Sequence, residues 1–511
     1  MASHLLVQRR DLGILSNIVG RVLVLAALVM LAPLIVCVIF GEFFAIPGFL
    51  AGAGLSLLLG LLLYFPFRKF SDARTKHGMM GAAICWLIVP MFGAIPFAMV
   101  AQSVPSSSGL LCNMTALDSY FEAMSGWTAT GLSVATSQEL LPRSIQFWRS
   151  LMEWVGGVGI IVMMLVILAR PGTGAFELYA GEGRTEKLEP RIIGTVRQMW
   201  RIYVLYTIAG IILLFALGMP LWDSINHAMA ALATGGFSVK DQSIGSYGNP
   251  AFEVAIIGLM LIGAISFVVH DRVFRGRIRE LLDDVQNKVL FSLCILGIAL
   301  LTLELFYEGP FQGTLEGALR SSSFQFVSGL ATGGYQTADL RNWTPSAKIL
   351  LSMAMIAGGA AGSTCGGIKL VRLIMIMKGA GWKFMETFMP SGAYVPKKLG
   401  KVVLSEDETT RVVLEAATLS FMYLILLLVG VMVLMHTVGP AVPASDVFFE
   451  VCSAQGNTGL SVGIARSGMN QVAESMLIVN MWVGRLEILP VLMLLQSFFF
   501  YARPRRRARE V

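Results

Sequence analysis

Four short stretches of this 511-residue chain repeat one pattern of glycine, threonine and alanine, and the chemistry such a pattern offers is that of the bare backbone carbonyl. They read DSYFEAMSGWTATGLS from Asp118, DSINHAMAALATGGFS from Asp223, SSSFQFVSGLATGGYQ from Ser321 and DVFFEVCSAQGNTGLS from Asp446, and they align without gaps. A glycine holds the reference position in every copy: Gly131, Gly236, Gly334 and Gly459. Leading into it are Thr128, Ala129 and Thr130, then Ala233, Thr234 and Gly235, then Ala331, Thr332 and Gly333, and finally Gly456, Asn457 and Thr458. Small residues and glycine let an extended backbone present successive carbonyls to an axis, which coordinates a dehydrated cation without a formal anion. For any single copy, small residues that merely permit close helix packing are a sufficient explanation. Four copies in register, each behind a short helix, favour a pore. Asn457 breaks strict fourfold symmetry, so the ring is pseudo-symmetric.

Thirteen residues before the reference glycines stand Asp118, Asp223, Ser321 and Asp446, all good helix N-caps. A helix over that interval reaches roughly 20 Å, short of a hydrocarbon core about 30 Å thick. Such helices must enter the membrane and turn back. Irregular backbone at that depth is tolerated only where it is buried or lines a watery cavity, so the four turns are expected to face one another. Each helix then aims its C-terminal end, about half a negative charge, inward. That end favours a cation.

The elements that must carry these turns are membrane spans. Hydrophobic residues make up 55% of the chain and charged residues 14%, with mean hydropathy +0.71, a composition that a water-soluble surface of this size does not tolerate. Apolar runs predict ten crossings, near 22–40, 46–67, 78–100, 151–169, 202–219, 254–269, 289–307, 349–377, 412–435 and 476–500. Alternate connections are basic: Arg9 and Arg10; Arg68, Lys69, Arg74 and Lys76; Arg184, Lys187, Arg191 and Arg197; Arg272, Arg275, Arg277 and Arg279; Lys397, Lys398 and Lys401; and the tail Arg503, Arg505, Arg506 and Arg507. Positive loops stay in the cytoplasm, so both termini are expected there. Topology alone accounts for the net charge of +7, and no nucleic-acid partner is implied. Membrane lipid is the expected surrounding. The six cysteines show no metal-ligand spacing, although Cys112 and Cys452 would share the outer side and either pair or remain free thiols. The five histidines form no triad or metal spacing with Cys, Asp or Glu, so an enzyme is not expected.

These residues resemble the Trk/Ktr/HKT superfamily of cation transporters, most closely its bacterial TrkH potassium uptake branch. The similarity covers nearly the whole chain and includes WVGGVGII at Trp154 to Ile161, GGAAGSTCGGIK at Gly358 to Lys369 and GRLEI at Gly484 to Ile488. It implies an all-α polytopic membrane protein in which four helix, re-entrant loop, helix repeats surround one pore after two extra N-terminal spans. The corresponding division is 1–70 for the extra spans, 71–172, 173–280 and 281–390 for the first three repeats, and 391–511 for the fourth with its basic tail. The resemblance further implies potassium as the transported ion, held at Ala129, Thr130, Thr234, Gly235, Thr332, Gly333, Asn457 and Thr458. It implies a bacterial inner-membrane location, a homodimer and a cytoplasmic nucleotide-binding regulatory subunit of the TrkA type. No organic cofactor is expected. Two departures from the family pattern are Ala129, where relatives often carry threonine, and Cys365 within a run that is commonly Gly-Ser-Thr-Gly-Gly-Gly.

The eighth apolar run contains Gly358, Gly359, Gly362, Gly366 and Gly367 with Ser363 and Thr364 among them; at about 1 kcal/mol per glycine a continuous helix is disfavoured there. Such a break resembles the family's intramembrane gate loop (357–367), with Lys369 at its end; a glycine face for tight packing is the alternative. Arg485, inside the last run, must face protein or water and resembles the arginine that touches that loop. A structural buried ion pair is the competing account. Glu487 cannot share its helix face. Glu153, Glu304 and Glu415 read as snorkelling or paired carboxylates, and His227, in register with Glu122, Gln325 and Glu450, as a packing residue. Besides a gated channel-like pore, a proton- or sodium-coupled potassium symporter remains open at this stage.

Overall fold

A computed structural model of the chain describes residues 2–70, 73–159, 162, 192–390, 396–400 and 402–502. Among them six helices are long and apolar enough to cross a membrane, or up to eight if each of two sharply bent pairs counts as one span. The basic residues Arg184, Lys187, Arg191 and Lys401, the tail arginines, and Ile160 and Ile161 lie outside the described residues.

The surface pattern is that of a protein solvated by lipid. Ile35, Ile295, Phe421 and Leu428 are more than half exposed, while Glu122, Arg149, Glu153 and His227 are buried. A water-soluble fold inverts this arrangement, because exposed leucine gains nothing from water and a buried charge needs a partner.

The N-terminal unit is built from α1 (Ala2–Val29), α2 (Pro33–Phe40) and α3 (Ile46–Tyr64). The first helix begins earlier than the apolar run suggests, so Arg9 and Arg10 stand on α1 and not in a loop. Helices α1 and α3 approach closely at Gly20 and Gly60, where a Cβ on Gly20 would lie 2.7 Å from the Gly60 carbonyl oxygen. Lipid supplies no hydrophobic drive between helices, so such small-residue contacts carry the packing. The Ser56 hydroxyl adds a bond to the Leu23 carbonyl (2.9 Å). Asp11 then ties α1 to α4 (Thr75–Gly93) through Lys76 (2.6 Å) and His77 (2.9 Å).

From α4 the chain repeats one scheme. In each repeat a first helix crosses, a short helix enters and turns back, and a second helix follows. The first helices are α4 continued by α5 (Ile95–Ser103), α8 (Ile192–Ala216), α13 (Val285–Tyr307) and α17 (Glu406–Thr437). The short ones are α6 (Ala116–Trp127), α9 (Leu221–Leu232), α14 (Leu315–Leu330) and α18 (Ala444–Gln455). The second helices are α7 (Arg143–Val158), α10 (Pro250–Ala264), α15 (Pro345–Ala357) and α19 (Gln471–Arg485).

The helix starts correct the expected caps. Asp118, Asp223 and Asp446 are third residues of their helices, with Thr115, Pro220 and Pro443 at the N-cap, and Ser321 lies inside the 16-residue α14. The carboxylates still serve the helix start: Asp118 accepts from the Thr115 amide (2.9 Å) while the Thr115 hydroxyl accepts from the Asp118 amide (3.2 Å), a capping box. Proline supplies no side-chain acceptor at a cap, which leaves the acidic residue one turn inward to complement the helix dipole.

The second helices give a further correction. The run 254–269 is not one span: α10 meets α11 (Phe267–Phe274) at 104°. Likewise 476–500 breaks at Leu486 to Ile488, where α19 meets α20 (Leu489–Ala502) at 110°. Gly159, with φ 105°, ends α7. The third repeat breaks as expected, between α15 and α16 (Leu370–Phe388), although the loop runs 358–369 and not 357–367. Helices of 13 to 16 residues extend only about 20–24 Å, so each second helix ends near the depth of the turns. Periodicity did not foretell the breaks in the second and fourth repeats, because the residues at the bends are themselves apolar or flanked by apolar runs. A short connector α12 (Glu280–Asp283) and a two-stranded hairpin, β1 (Lys398–Leu399) with β2 (Val402–Val403), complete the described elements.

Replacing Gly20 by valine should push α1 off α3 and destabilise the N-terminal unit by about 1–3 kcal/mol. Thermal unfolding of the purified protein in detergent checks this, and an unchanged midpoint would contradict the contact.

Candidate functional site

The four turns share one backbone geometry. After each short helix the residues Thr128, Ala233, Ala331 and Gly456 keep helical φ; then Ala129, Thr234, Thr332 and Asn457 adopt φ of 51°, 54°, 48° and 50°. The next residue returns to negative φ, and the reference glycines take 85°, 95°, 72° and 96°. The stretch therefore alternates in hand and is not extended. Its amides turn back onto the helix: Thr130 to Ser125 (2.8 Å), Gly235 to Ala230 (3.0 Å), Gly333 to Ser328 (2.7 Å) and Thr458 to Ser453 (2.9 Å). With the bonds from Ala129 to Gly126, Thr234 to Ala231, Thr332 to Gly329 and Asn457 to Ala454, each turn is a Schellman closure, though none has glycine at the left-handed position. A non-glycine residue there costs about 1–2 kcal/mol. The donors are spent and the acceptors are not: among the described residues no hydrogen bond reaches the carbonyl oxygens of Thr130, Gly235, Gly333 or Thr458.

Those carbonyls meet. A Cβ on Gly131 would strike the Gly235 carbonyl, and one on Gly236 would lie 2.6 Å from Gly334 Cα and 2.8 Å from the Gly333 oxygen. A Cβ on Gly334 would strike the Thr458 carbonyl and come within 2.7 Å of the Gly235 oxygen; one on Gly459 would strike the Thr130 carbonyl. Turn one thus abuts turn two, two abuts three, three abuts four, and four abuts one. Glycine at all four positions is required both by φ and by the space. What such a ring can do is surround a bare cation with neutral oxygens.

The return strands are braced by the residues in register with His227. Glu122 accepts from the Ser133 hydroxyl (2.8 Å) and Val134 amide (2.9 Å), and Glu450 accepts from Ser461 (2.7 Å), Val462 (3.0 Å) and Ala465 (2.9 Å). His227 Nε2 sits 2.9 Å from the Ser238 hydroxyl, and Gln325 donates to the Thr337 hydroxyl (3.4 Å). The packing role expected of His227 is thus shared by all four copies. Arg149, which sequence reasoning passed over, is buried against Glu122 (2.7 Å), donates to the Ser238 carbonyl (3.0 Å) and lies 4.0 Å from the Phe237 ring centroid. It lies just ahead of the apolar run read from 151, but the helix starts at Arg143 and carries it into the protein interior, where an arginine must find partners. Glu153 is also no snorkelling carboxylate; it is buried, and both its oxygens lie 3.1 Å from the Phe237 amide, behind the second turn. Met260 occupies the corresponding place behind Gly333. Glu304 accepts from the Thr344 hydroxyl (2.6 Å), while Glu415 is exposed.

Below the turns lies the loop 358–369. Its backbone docks on α10 and the bend beyond it: Ala360 donates to Ala264 (3.0 Å), Thr364 to Gly263 (3.1 Å), and Gly362 accepts from Phe267 (3.1 Å). Gly358, Gly362 and Gly367 have positive φ, as does Lys369, whose ammonium meets the Cys365 carbonyl. Gly359 packs under Cys365, and Ser363 bonds the Ala360 carbonyl (2.6 Å). Gly366 presses on turn four, where a Cβ would strike the Gly456 carbonyl. The guanidinium of Arg485, the last residue of α19, donates to the carbonyls of Thr364 (3.0 Å), Gly157 (2.7 Å) and Gly156. Glu487 lies in the bend and not on a helix, and pairs with Arg372 of α16. A small cavity beneath the loop is lined by Trp86, Val158, Ser363, Lys369, Arg485 and Glu487.

Cys112 and Cys452 are both buried free thiols, so the expected alternatives resolve against a pair. In the loop after the third turn, the Arg341 guanidinium beside Asp339 holds its carboxyl below the usual carboxylate range. Asp241 accepts from Ser137 (2.9 Å) and the Gln138 amide (2.6 Å), linking the loops that follow the first two turns.

Residues 45–499 match the family model described as TrkH, cation transport protein. The chain belongs to the TrkH family. It is 31% identical to the Trk system potassium uptake protein TrkH of Halomonas elongata, covering 96% of this chain and 99% of that protein. An uncharacterized cation transporter of Methanocaldococcus jannaschii is 30% identical over 96% of this chain and 97% of its own length. The crystal structure of the potassium transporter TrkH from Vibrio parahaemolyticus superposes with a TM-score of 0.81 at 27% identity, covering 96% of this chain and all of that one. Family membership makes this TrkH-family chain a membrane transport protein and not an enzyme.

Removing Glu122 would leave the Arg149 guanidinium buried without its counter-charge, a loss of about 3–5 kcal/mol. Glu122→Ala should therefore yield little folded protein by size-exclusion profile, and Glu450→Gln, which keeps an acceptor and strands no cation, should yield nearly normal amounts.

Proposed function

We propose that this chain carries potassium ions across the cell's inner membrane through a gated, channel-like pore whose selectivity filter is the ring of backbone carbonyls at Thr128 to Gly131, Ala233 to Gly236, Ala331 to Gly334 and Gly456 to Gly459. The observation that carries the reading is the convergence of four turns that spend their amides on their own helices and leave their carbonyls toward one axis. Neutral oxygens at fixed separation replace the hydration shell of a weakly hydrated cation at lower cost than that of a strongly hydrated one. Potassium is supported by the names of the relatives. The gate is the loop 358–369 with Arg485, because it lies directly under the ring and is built of glycine-rich backbone. The distribution of lysine and arginine supports both termini in the cytoplasm, and the inner-membrane location is carried by the family resemblance. A homodimer and a TrkA-type nucleotide-binding regulator are carried by the family resemblance.

Tracer rubidium entry into proteoliposomes containing only this protein tests the mode of transport. Entry should follow an imposed membrane potential with no proton gradient; strict dependence on a proton gradient would replace the channel with a symporter. Gly334→Ser adds a side chain where Thr458 and Gly235 leave no room, so discrimination against sodium should weaken, and an unchanged ratio would count against this filter. Deleting residues 359–366 should raise basal flux at equal expression.

A further inference from the structure

The loop does more than lie below the ring: among the described residues its hydrogen bonds to the ring reach turns two and three, while its contact with turn four, at Gly366, is steric. The Thr364 hydroxyl lies 3.2 Å from the Thr234 hydroxyl and reaches the carbonyls of Leu232 (3.1 Å) and Gly263 (2.9 Å). The Gly366 amide donates to the Thr332 hydroxyl (3.1 Å), and Cys365 Sγ donates to the Ala331 carbonyl (2.9 Å). Turns two and three therefore hold their left-handed threonines with bonds supplied by the loop. Turns one and four are tied to each other instead: Asn457 donates to the Thr130 hydroxyl (2.9 Å) and to the Met481 carbonyl (2.9 Å), and Thr130 bonds Thr128 (2.7 Å). Ala129 has no side chain to offer. A β-branched residue in the left-handed region is strained, and Thr234 and Thr332 are the two such residues among the four left-handed positions. They are the two the loop holds.

We propose that the loop is a working part of the filter: Thr364 and Gly366 fix the inner ends of turns two and three, so that ion occupancy in the ring and the position of the loop are thermodynamically linked. When the loop withdraws, Thr332 loses the Gly366 amide and Thr234 loses Thr364, keeping only its bond to the adjacent Ala233 carbonyl (2.7 Å), while turns one and four keep theirs. The coupling is reciprocal by linkage. An ion that orders all four turns must favour the docked loop, and a withdrawn loop must bind the ion less tightly and discriminate less well. This inference rests on the pore reading given above, and the test separates the two.

Hydrogen exchange of the full-length protein in lipid nanodiscs, followed by mass spectrometry in potassium, sodium or choline chloride, reads both regions at once. Potassium relative to choline should slow exchange in the peptides that carry the four turns. It should also slow exchange across 358–369 by at least about fivefold, the lower end of ordinary coupling between sites. In Thr364→Val the turn peptides should stay protected while the potassium effect on the loop falls. Thr364→Ser, which keeps the hydroxyl, should restore it. In the unaltered protein, protected turns with a loop indifferent to potassium would overturn the linkage and leave the pore intact. A loop that still responds fully in Thr364→Val would overturn the assigned bonds. No potassium protection at the turns of the unaltered protein would remove the pore reading and this inference with it. Should Thr364→Val fail to fold, Thr364→Ala decides the question by the same readout.

Discussion

At membrane depth no water is available to a peptide group, so each one must find its partner in the protein or face a cavity. The four turns meet that constraint in an unequal way. Their amides close onto the ends of α6, α9, α14 and α18, and among the described residues nothing donates to the carbonyls of Thr130, Gly235, Gly333 and Thr458. An unpaired acceptor buried in a dry interior costs free energy, and a single turn of this kind in lipid would not persist. In the proposed filter, four of them arranged around one axis form a site where a bound cation would repay the cost. The remaining architecture follows from keeping those four turns together.

Holding them requires polar braces that a bilayer otherwise penalises. Glu122, His227, Gln325 and Glu450 each fasten a return strand to its own short helix, and Arg149 joins the first two repeats by bonding Glu122 on one side and the Ser238 carbonyl on the other. Buried charges of this kind are tolerated because each is paired and hydrogen-bonded. The brace is not symmetric: a carboxylate, Glu153, stands behind turn two where a methionine, Met260, stands behind turn three. A polypeptide that encodes its four repeats separately can vary each quarter, which a ring of identical subunits cannot. The proposed gate exploits that freedom, since the loop comes from one repeat and holds two turns.

Much of this was legible in the residues. Glycine at 131, 236, 334 and 459, repeated in register, favours a pore over simple helix packing once the copies are aligned, and the short interval before it points to a re-entrant helix. The glycine-rich segment after Ala357 announced a break on propensity alone. Helix starts were read three residues late in three repeats and seven late in the third, because an acidic residue suits the cap and the third helical position almost equally well, and Pro220 and Pro443 gave no side-chain signal. The bends after Ala264 and Arg485 were invisible, as apolar runs flank both and hydropathy does not register a change of direction.

The sequence by itself determined a lipid-embedded, four-times-repeated chain with a glycine turn in each repeat, because composition, length and spacing are local quantities. Tertiary structure alone decided that the turns alternate in hand and close in the order one, two, three, four. It decided too that Arg149 and Glu153 serve a neighbouring repeat, and that Thr364 and Gly366 bond turns two and three while Gly366 packs against turn four. Those outcomes depend on contacts between residues tens to hundreds of positions apart, such as Asn457 with Thr130. No periodicity in the chain records which distant backbone will arrive to fill a given space.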